Sequence, residues 1–258
     1  QGARDEDLLK EDLLGDKAKV RTALDPPLPA PEALEMLKQG NARYVSGEPL
    51  RSADAEMRTA LAEKGQNPMA VVLGCADSRC PVETIVDAQP GEVFVLRSAG
   101  NACPGGEASI VGSAEFAVGA LRTRLVVVMG HTKCGAIKGA SQLVLDDAKT
   151  TSSWWCCQTE KAPCLPKNPS ALDKYLRALT PPAKEALDSL GGEASMEEVA
   201  GAAVYANVWH TIESLLEHSE PLRESARSGG LELHGAVYHI ETGVVEFLGQ
   251  HPGLKGLL

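Results

Sequence analysis

A cysteine, an aspartate and an arginine stand at alternate positions in "GCADSRC", residues 74–80, directly after an apolar run. Further along, "HTKC" at 131–134 follows another apolar run and places a histidine and a cysteine three apart. Either stretch alone reads equally well as a polar surface turn. Together, Cys75, His131 and Cys134 offer three donors suited to a borderline-soft divalent ion such as Zn²⁺, which takes thiolate and imidazole ligands in tetrahedral sites. Asp77 and Arg79 would set a carboxylate and a guanidinium beside that ion, or else form an ordinary exposed ion pair.

Such a site needs strands to bring its two halves together. "MAVVLG" (69–74), "VFVL" (93–96) and "LVVVMG" (125–130) are short apolar runs rich in β-branched residues, as expected of strands covered on both faces. Helix-like segments at 81–87, 106–121 and 135–145 separate them, so the pattern predicts an α/β fold with a mostly parallel central sheet flanked by helices. Ligands in open α/β sheets gather outside the carboxyl ends of the strands. Cys75 and His131 each follow a strand, so both polar clusters should face one crevice.

The flanks are less regular. Residues 1–25 are charged, with Leu8, Leu9, Leu13 and Leu14, and predict a peripheral helical arm that "DPPLPAP" (25–31) ends in a stiff linker. A helix is expected from Pro31 to about Gly47. The stretch 146–170 shows no period and predicts a long inserted loop containing Trp154, Trp155, Cys156, Cys157 and Cys164. "VYANVWHTIESLLEH" aligns Val208, Ile212, Leu215 and Leu216 on one helical face. A further helical piece begins near Pro221, and a closing hairpin is expected around Glu241-Thr242-Gly243. This division gives an arm and linker at 1–30 and one α/β unit at 31–258.

Composition narrows the function classes. A net charge of −10 over 258 residues argues against nucleic acid, which calls for a basic surface. No run approaches the ~20 apolar residues of a membrane span, so a soluble protein is expected, in the cytosol or an organelle interior. The acidic start at Gln1 does not read as a targeting peptide, and a trimmed N-terminus is expected. Seven cysteines is an odd count, and the proximity of Cys75 and Cys134 to Asp77 and His131 favours ligation over a disulfide for those two. Cys80 and Cys103 read as small buried hydrophobes or free thiols.

The motifs "CADSR", "FVLRSAGN", "GSAEFAV", "GHTKCGAIKG" and "GAVYHIETGVVEF", in that order, resemble the β-class carbonic anhydrases, and the resemblance extends from about Pro31 to Leu248. It implies one zinc per subunit on Cys75, His131 and Cys134, and interconversion of carbon dioxide and bicarbonate by attack of zinc-bound hydroxide. Asp77 and Arg79 would be the catalytic dyad. With the pair engaged the metal keeps an open position; released, Asp77 becomes a conditional fourth ligand in a closed state. The resemblance is to the plant-type, accessible-site members, and it carries substrate contacts onto Gln66, Phe94, Ala99, Phe116 and Gly135. Phe116 and Ala99 depart from a tyrosine and a valine in those members, and all three of Phe94, Ala99 and Phe116 are expected in the core. Val72 stands where gated members carry tryptophan, so the closed state should be weak or absent.

The resemblance also implies a homodimer or a dimer of dimers. Two other functions fit the same residues: hydrolysis of carbon disulfide or carbonyl sulfide on this scaffold, or a non-catalytic protein braced by zinc.

Overall fold

The residues of the central strands alternate between two apolar faces, which is why their sequences read as unbroken apolar runs. In β1 (Ala70–Cys75) and β3 (Leu125–His131), Val71, Leu73, Cys75, Val126 and Val128 pack into one core. Ala70, Val72, Leu125, Val127 and Met129 pack into the other. The computed structural model describes residues 21–50, 54–151, 168–191 and 194–258.

Five strands form the sheet in the order β2-β1-β3-β4-β5, with β2 (Val93–Ser98), β4 (Glu232–Tyr238) and β5 (Val245–Gln250). All neighbouring pairs are parallel except β4 with β5, the expected hairpin, whose turn uses Gly243 at φ 78°. The chain leaves β1 to one side for β2 and returns on the other for β3, so the strand order reverses between β1 and β3. Cys75 and His131 end those two strands, at the place where such a sheet opens a crevice.

Helices cover both faces. α1 (Ala30–Ser46), ended by Gly47 in a left-handed conformation, and the short α3 (Val82–Ile85) lie against the second core. α2 (Ala55–Lys64), capped by Asp54, lies between α1 and β1 in the chain and is not evident in the sequence pattern. α4 (Ala108–Gly119) and α5 (Gly135–Thr151) contribute to the first core, as do α7 (Thr180–Ser189) and the 22-residue α8 (Met196–Glu217). α8 begins at a Ser195/Glu198 capping box and buries Val208, Ile212, Leu215 and Leu216, the face its spacing predicts. α6 (Ala171–Ala178), α9 (Glu220–Arg227) and α10 (Leu254–Leu257) complete the set.

Three expectations need correction or restriction. Residues 21–25 make a turn, not the end of a helix: the Asp25 carboxylate accepts from the Thr22 amide and hydroxyl. The predicted loop 146–170 is helical at its start, because α5 runs on to Thr151; α6 starts at Ala171, where the loop is expected to end. An Arg177–Asp147 ion pair of 2.5 Å ties these two helices together. The arm at 1–20, the centre of the insertion and its Trp154, Trp155, Cys156, Cys157 and Cys164 lie outside the described residues.

Candidate metal centre

Cys75 and Cys134 place their sulfurs 4.0 Å apart. Two sulfurs bound tetrahedrally to zinc at about 2.3 Å lie about 3.8 Å apart, so the pair is already at ligand spacing. With His131 they form a buried cluster whose ligating atoms all fall within 4.8 Å of one another, the one such group among the described residues. His131 Nδ1 lies 2.9 Å from the Thr132 carbonyl, to which it can only donate. In the neutral imidazole that bond fixes the tautomer and leaves Nε2 as a lone-pair donor. Nε2 is buried and has no hydrogen-bond partner in the protein. An orphaned imidazole nitrogen within 4.8 Å of two sulfurs fits a bound cation.

Local backbone geometry makes this convergence possible. Lys133 adopts φ 57°, which turns the chain back after β3 so that Cys134 opens α5 beside Cys75. The hairpin turn braces this loop: Glu241 pairs with Lys133 at 2.7 Å and accepts from the Thr132 hydroxyl at 2.8 Å. Gly135 follows Cys134 at the first position of α5, where a Cβ would meet open space.

Protonation in the cluster is interlocked. The Cys134 thiol donates to Cys75 and holds it well below the ordinary thiol range, aided by His131 and by the Asp77 and Gly100 amides, against the opposing effect of burial. Cys134 is raised correspondingly by its bond to Cys75 and by burial. Burial opposes a charge on His131, but the Cys75 and Cys80 sulfurs outweigh it and lift the imidazole to about 10. One divalent cation satisfies all three groups at once by displacing their protons.

Asp77 lies beside the cluster, its Oδ2 4.0 Å from His131 Nε2. Arg79 holds it in a two-point clasp, Nε to Oδ1 at 2.9 Å and Nη2 to Oδ2 at 2.7 Å, and its amide adds a third bond at 3.0 Å. These bonds keep the Asp77 carboxyl far below the usual carboxylate range, so it is ionised at any neutral pH. Arg97, which the sequence reading passed over, donates to the carbonyls of Cys75 and Asp77 at 2.9 and 2.7 Å and fixes the loop that carries both. Its position in "FVLRSAGN", just before the loop after β2, was the available signal.

The remaining predicted residues divide. Ala99 and Gly135 adjoin the cluster. Phe94 pairs in register with Val71, and strands rise about 3.3 Å per residue, so it stands about 13 Å along the sheet from Cys75. Its ring meets Phe116 at 6.2 Å, and Gln66 lies exposed before β1 on the same sheet end. One chain therefore does not bring Gln66, Phe94 and Phe116 to the cysteines. The expectation that Phe94, Ala99 and Phe116 belong in the core holds in part for Phe94, half-buried against the first core, and fails for Ala99, which is exposed, and for Phe116, which is 52% exposed. Aromatic type gave no hint that α4 turns this ring outward. Cys80 and Cys103 are free and buried as expected.

The fold and cluster define an α/β protein with three residues able to hold a metal at the strand-order reversal. A family described as carbonic anhydrase matches residues 70–245. A carbonic anhydrase of Mycolicibacterium smegmatis is 33% identical over 214 residues, which cover 83% of this chain and 91% of the relative. A crystal structure of a β-carbonic anhydrase of Aspergillus fumigatus is similar at 28% identity, with a TM-score of 0.62 over 88% of this chain and 95% of that one. Tetrameric β-carbonic anhydrases of Sordaria macrospora are similar at 25% identity, TM-score 0.58, over 84% of this chain and 98% of theirs. The chain belongs to the β-carbonic anhydrase family, enzymes that hydrate carbon dioxide. Among the described residues no helix is long and apolar enough to cross a membrane.

Proposed function

We propose that the chain interconverts carbon dioxide and bicarbonate with a single zinc ion held by Cys75, His131 and Cys134. The observation that carries this reading is the buried three-donor cluster, with an unpartnered imidazole nitrogen, next to a carboxylate that a guanidinium holds outside the ligand set. When bound there, zinc supplies a water acidic enough to act as a nucleophile at neutral pH. Asp77 Oδ2 faces this corner and, being ionised, accepts a hydrogen bond from the nucleophile and orients its lone pair toward the substrate carbon. Arg79 keeps Asp77 in that role. If the clasp opened, Asp77 would move in as a fourth ligand and close the site. Val72, buried in the second core where gated members of the family carry tryptophan, supports an accessible site in which this closed state is little populated.

Gln66, Phe94 and Phe116 act from a neighbouring copy. The exposure of Gln66 and Phe116, with the half-buried Phe94 against Phe116, at the sheet end away from the cysteines supports a homodimer in which each chain lends this patch to the other's metal centre, Gln66 donating to substrate oxygen and the two rings walling an apolar pocket. A dimer of dimers is consistent with the tetrameric relatives. The pocket is completed from the metal side by Ala99 and Gly135.

Stopped-flow carbon dioxide hydration with a pH indicator tests the reading. Activity should vanish with a strong chelator and return on addition of zinc. Activity insensitive to chelation would contradict it, and turnover of carbon disulfide or carbonyl sulfide without carbon dioxide would reassign the substrate.

A further inference from the structure

The loop after β2, Ser98 to Ala102, is tied to Cys75 and to two helices by its backbone groups. The Ser98 carbonyl accepts from the amides of Ala76 and Asn101 at 2.8 and 3.1 Å. The Gly100 amide donates to the Cys75 sulfur at 3.1 Å. That N–H belongs to the peptide unit whose carbonyl is Ala99 O, and this oxygen accepts from the Tyr175 hydroxyl at 2.6 Å. A single peptide thus links a tyrosine on α6 to a metal-ligand sulfur. The next carbonyl, Gly100 O, accepts from Asn207 Nδ2 at 2.7 Å, and Asn207 lies fully buried on α8. Glycine suits the place between the two anchors: Gly100 has φ 77°, and a Cβ would be strained there and crowd Ala136, Leu179 and Ile137 at 3.3 to 3.5 Å.

We propose that Tyr175 and Asn207 are positioning residues that clamp the peptides on either side of Gly100 and thereby aim its amide at the Cys75 sulfur, setting the affinity and electron density of that metal ligand. Hydrogen bonds to a ligand orient it and tune its donation, and chains of such bonds reinforce one another. Tyr175 polarises the donating peptide from its carbonyl end. Asn207 stops the following peptide from rotating. Neither belongs to the ligand cluster itself. The proposal rests on the reading of Cys75 as a zinc ligand.

The test uses the purified full-length protein and three variants. Tyr175→Phe deletes only the hydroxyl of a half-buried side chain. Asn207→Ala removes the second clamp. Tyr205→Phe is the control, since it deletes a comparable tyrosine hydroxyl bond, to Glu246 at 2.8 Å, far along the chain from the loop. Zinc affinity is measured by chelator competition, and the cobalt-substituted protein gives the sulfur-to-metal charge-transfer band. Disrupted outer-shell partners typically weaken metal affinity about 10- to 100-fold. Tyr175→Phe should weaken zinc about 10-fold and move the band to lower energy, Asn207→Ala should do at least as much, and Tyr205→Phe should do neither. Zinc affinity of Tyr175→Phe within about 2-fold of the parent, with an unmoved band, would overturn the proposal whether or not Asn207→Ala folds. Absence of zinc binding by the parent would instead sink the reading of the metal site.

Discussion

Two aspartate–arginine pairs show how burial separates a structural contact from a working one. Asp87 and Arg43 meet at 2.6 Å on the α1 side of the sheet, with the Asp87 side chain fully shielded from water. Asp87 also accepts the Leu50 amide at 2.9 Å and is held at φ 45°. Asp77 and Arg79 meet at 2.7 Å at the crevice, and the arginine is half-exposed. A buried pair is costly to break because a lone charge is left without water. An exposed pair contributes little measurable stability and opens cheaply, which is the property a gate requires.

The sharpest way to break this contrast is to remove a ligand. Cys134→Ser should leave no stoichiometric zinc and lower kcat/KM by more than about 100-fold, beyond the range of outer-shell changes; metal analysis alongside stopped-flow rates checks both. Next, Asp77→Asn should lower kcat/KM by about 100-fold with zinc retained and an unchanged denaturation midpoint, the scale of a lost proton acceptor. Arg79→Ala should also lower the rate, with zinc still bound; loss of metal in that variant would contradict the role given to the pair. Asp87→Ala reverses the pattern: urea titration should show about 3 kcal/mol less stability, while the folded fraction retains its turnover.

The smallest effect concerns pH. Asp77 is depressed in the folded state, so any stability it contributes is present above the ordinary carboxylate range and is lost as pH falls through its lowered value. Because the pair is exposed, that contribution is small, and the urea midpoints of the parent and Asp77→Asn should coincide from pH 7 to pH 5. A midpoint for the parent that stands above that of the variant across this window, and falls toward it only at more acidic pH, would show the pair to be structural after all.

Much of this organisation is legible in the sequence, and for identifiable reasons. Strands covered on both faces announce themselves as runs such as "LVVVMG", and cysteine with histidine at strand ends limits the chemistry. The candidate ligand cluster therefore follows from residue types plus strand-end placement. The clamps on the Gly100 loop do not. Tyr175 follows the insertion, and nothing in "LDKYLR" reveals that α6 returns to the site. Asn207 did leave a trace, a polar residue next to Val208 on the face of α8 shared with Val204 and Thr211, where an apolar one would be expected. Gln66 and Phe94 illustrate the opposite difficulty. Their types match a substrate pocket, but the register of β1 and β2 puts them at the far end of the sheet, so sequence order alone cannot say which copy they serve.

The central claim is tested most directly by metal analysis of freshly purified, folded protein under reducing-agent-free conditions. The account predicts close to one zinc per chain, bound through two thiolates and one imidazole. Protein that carries no zinc, or that holds Cys75 and Cys134 in a disulfide, would contradict it.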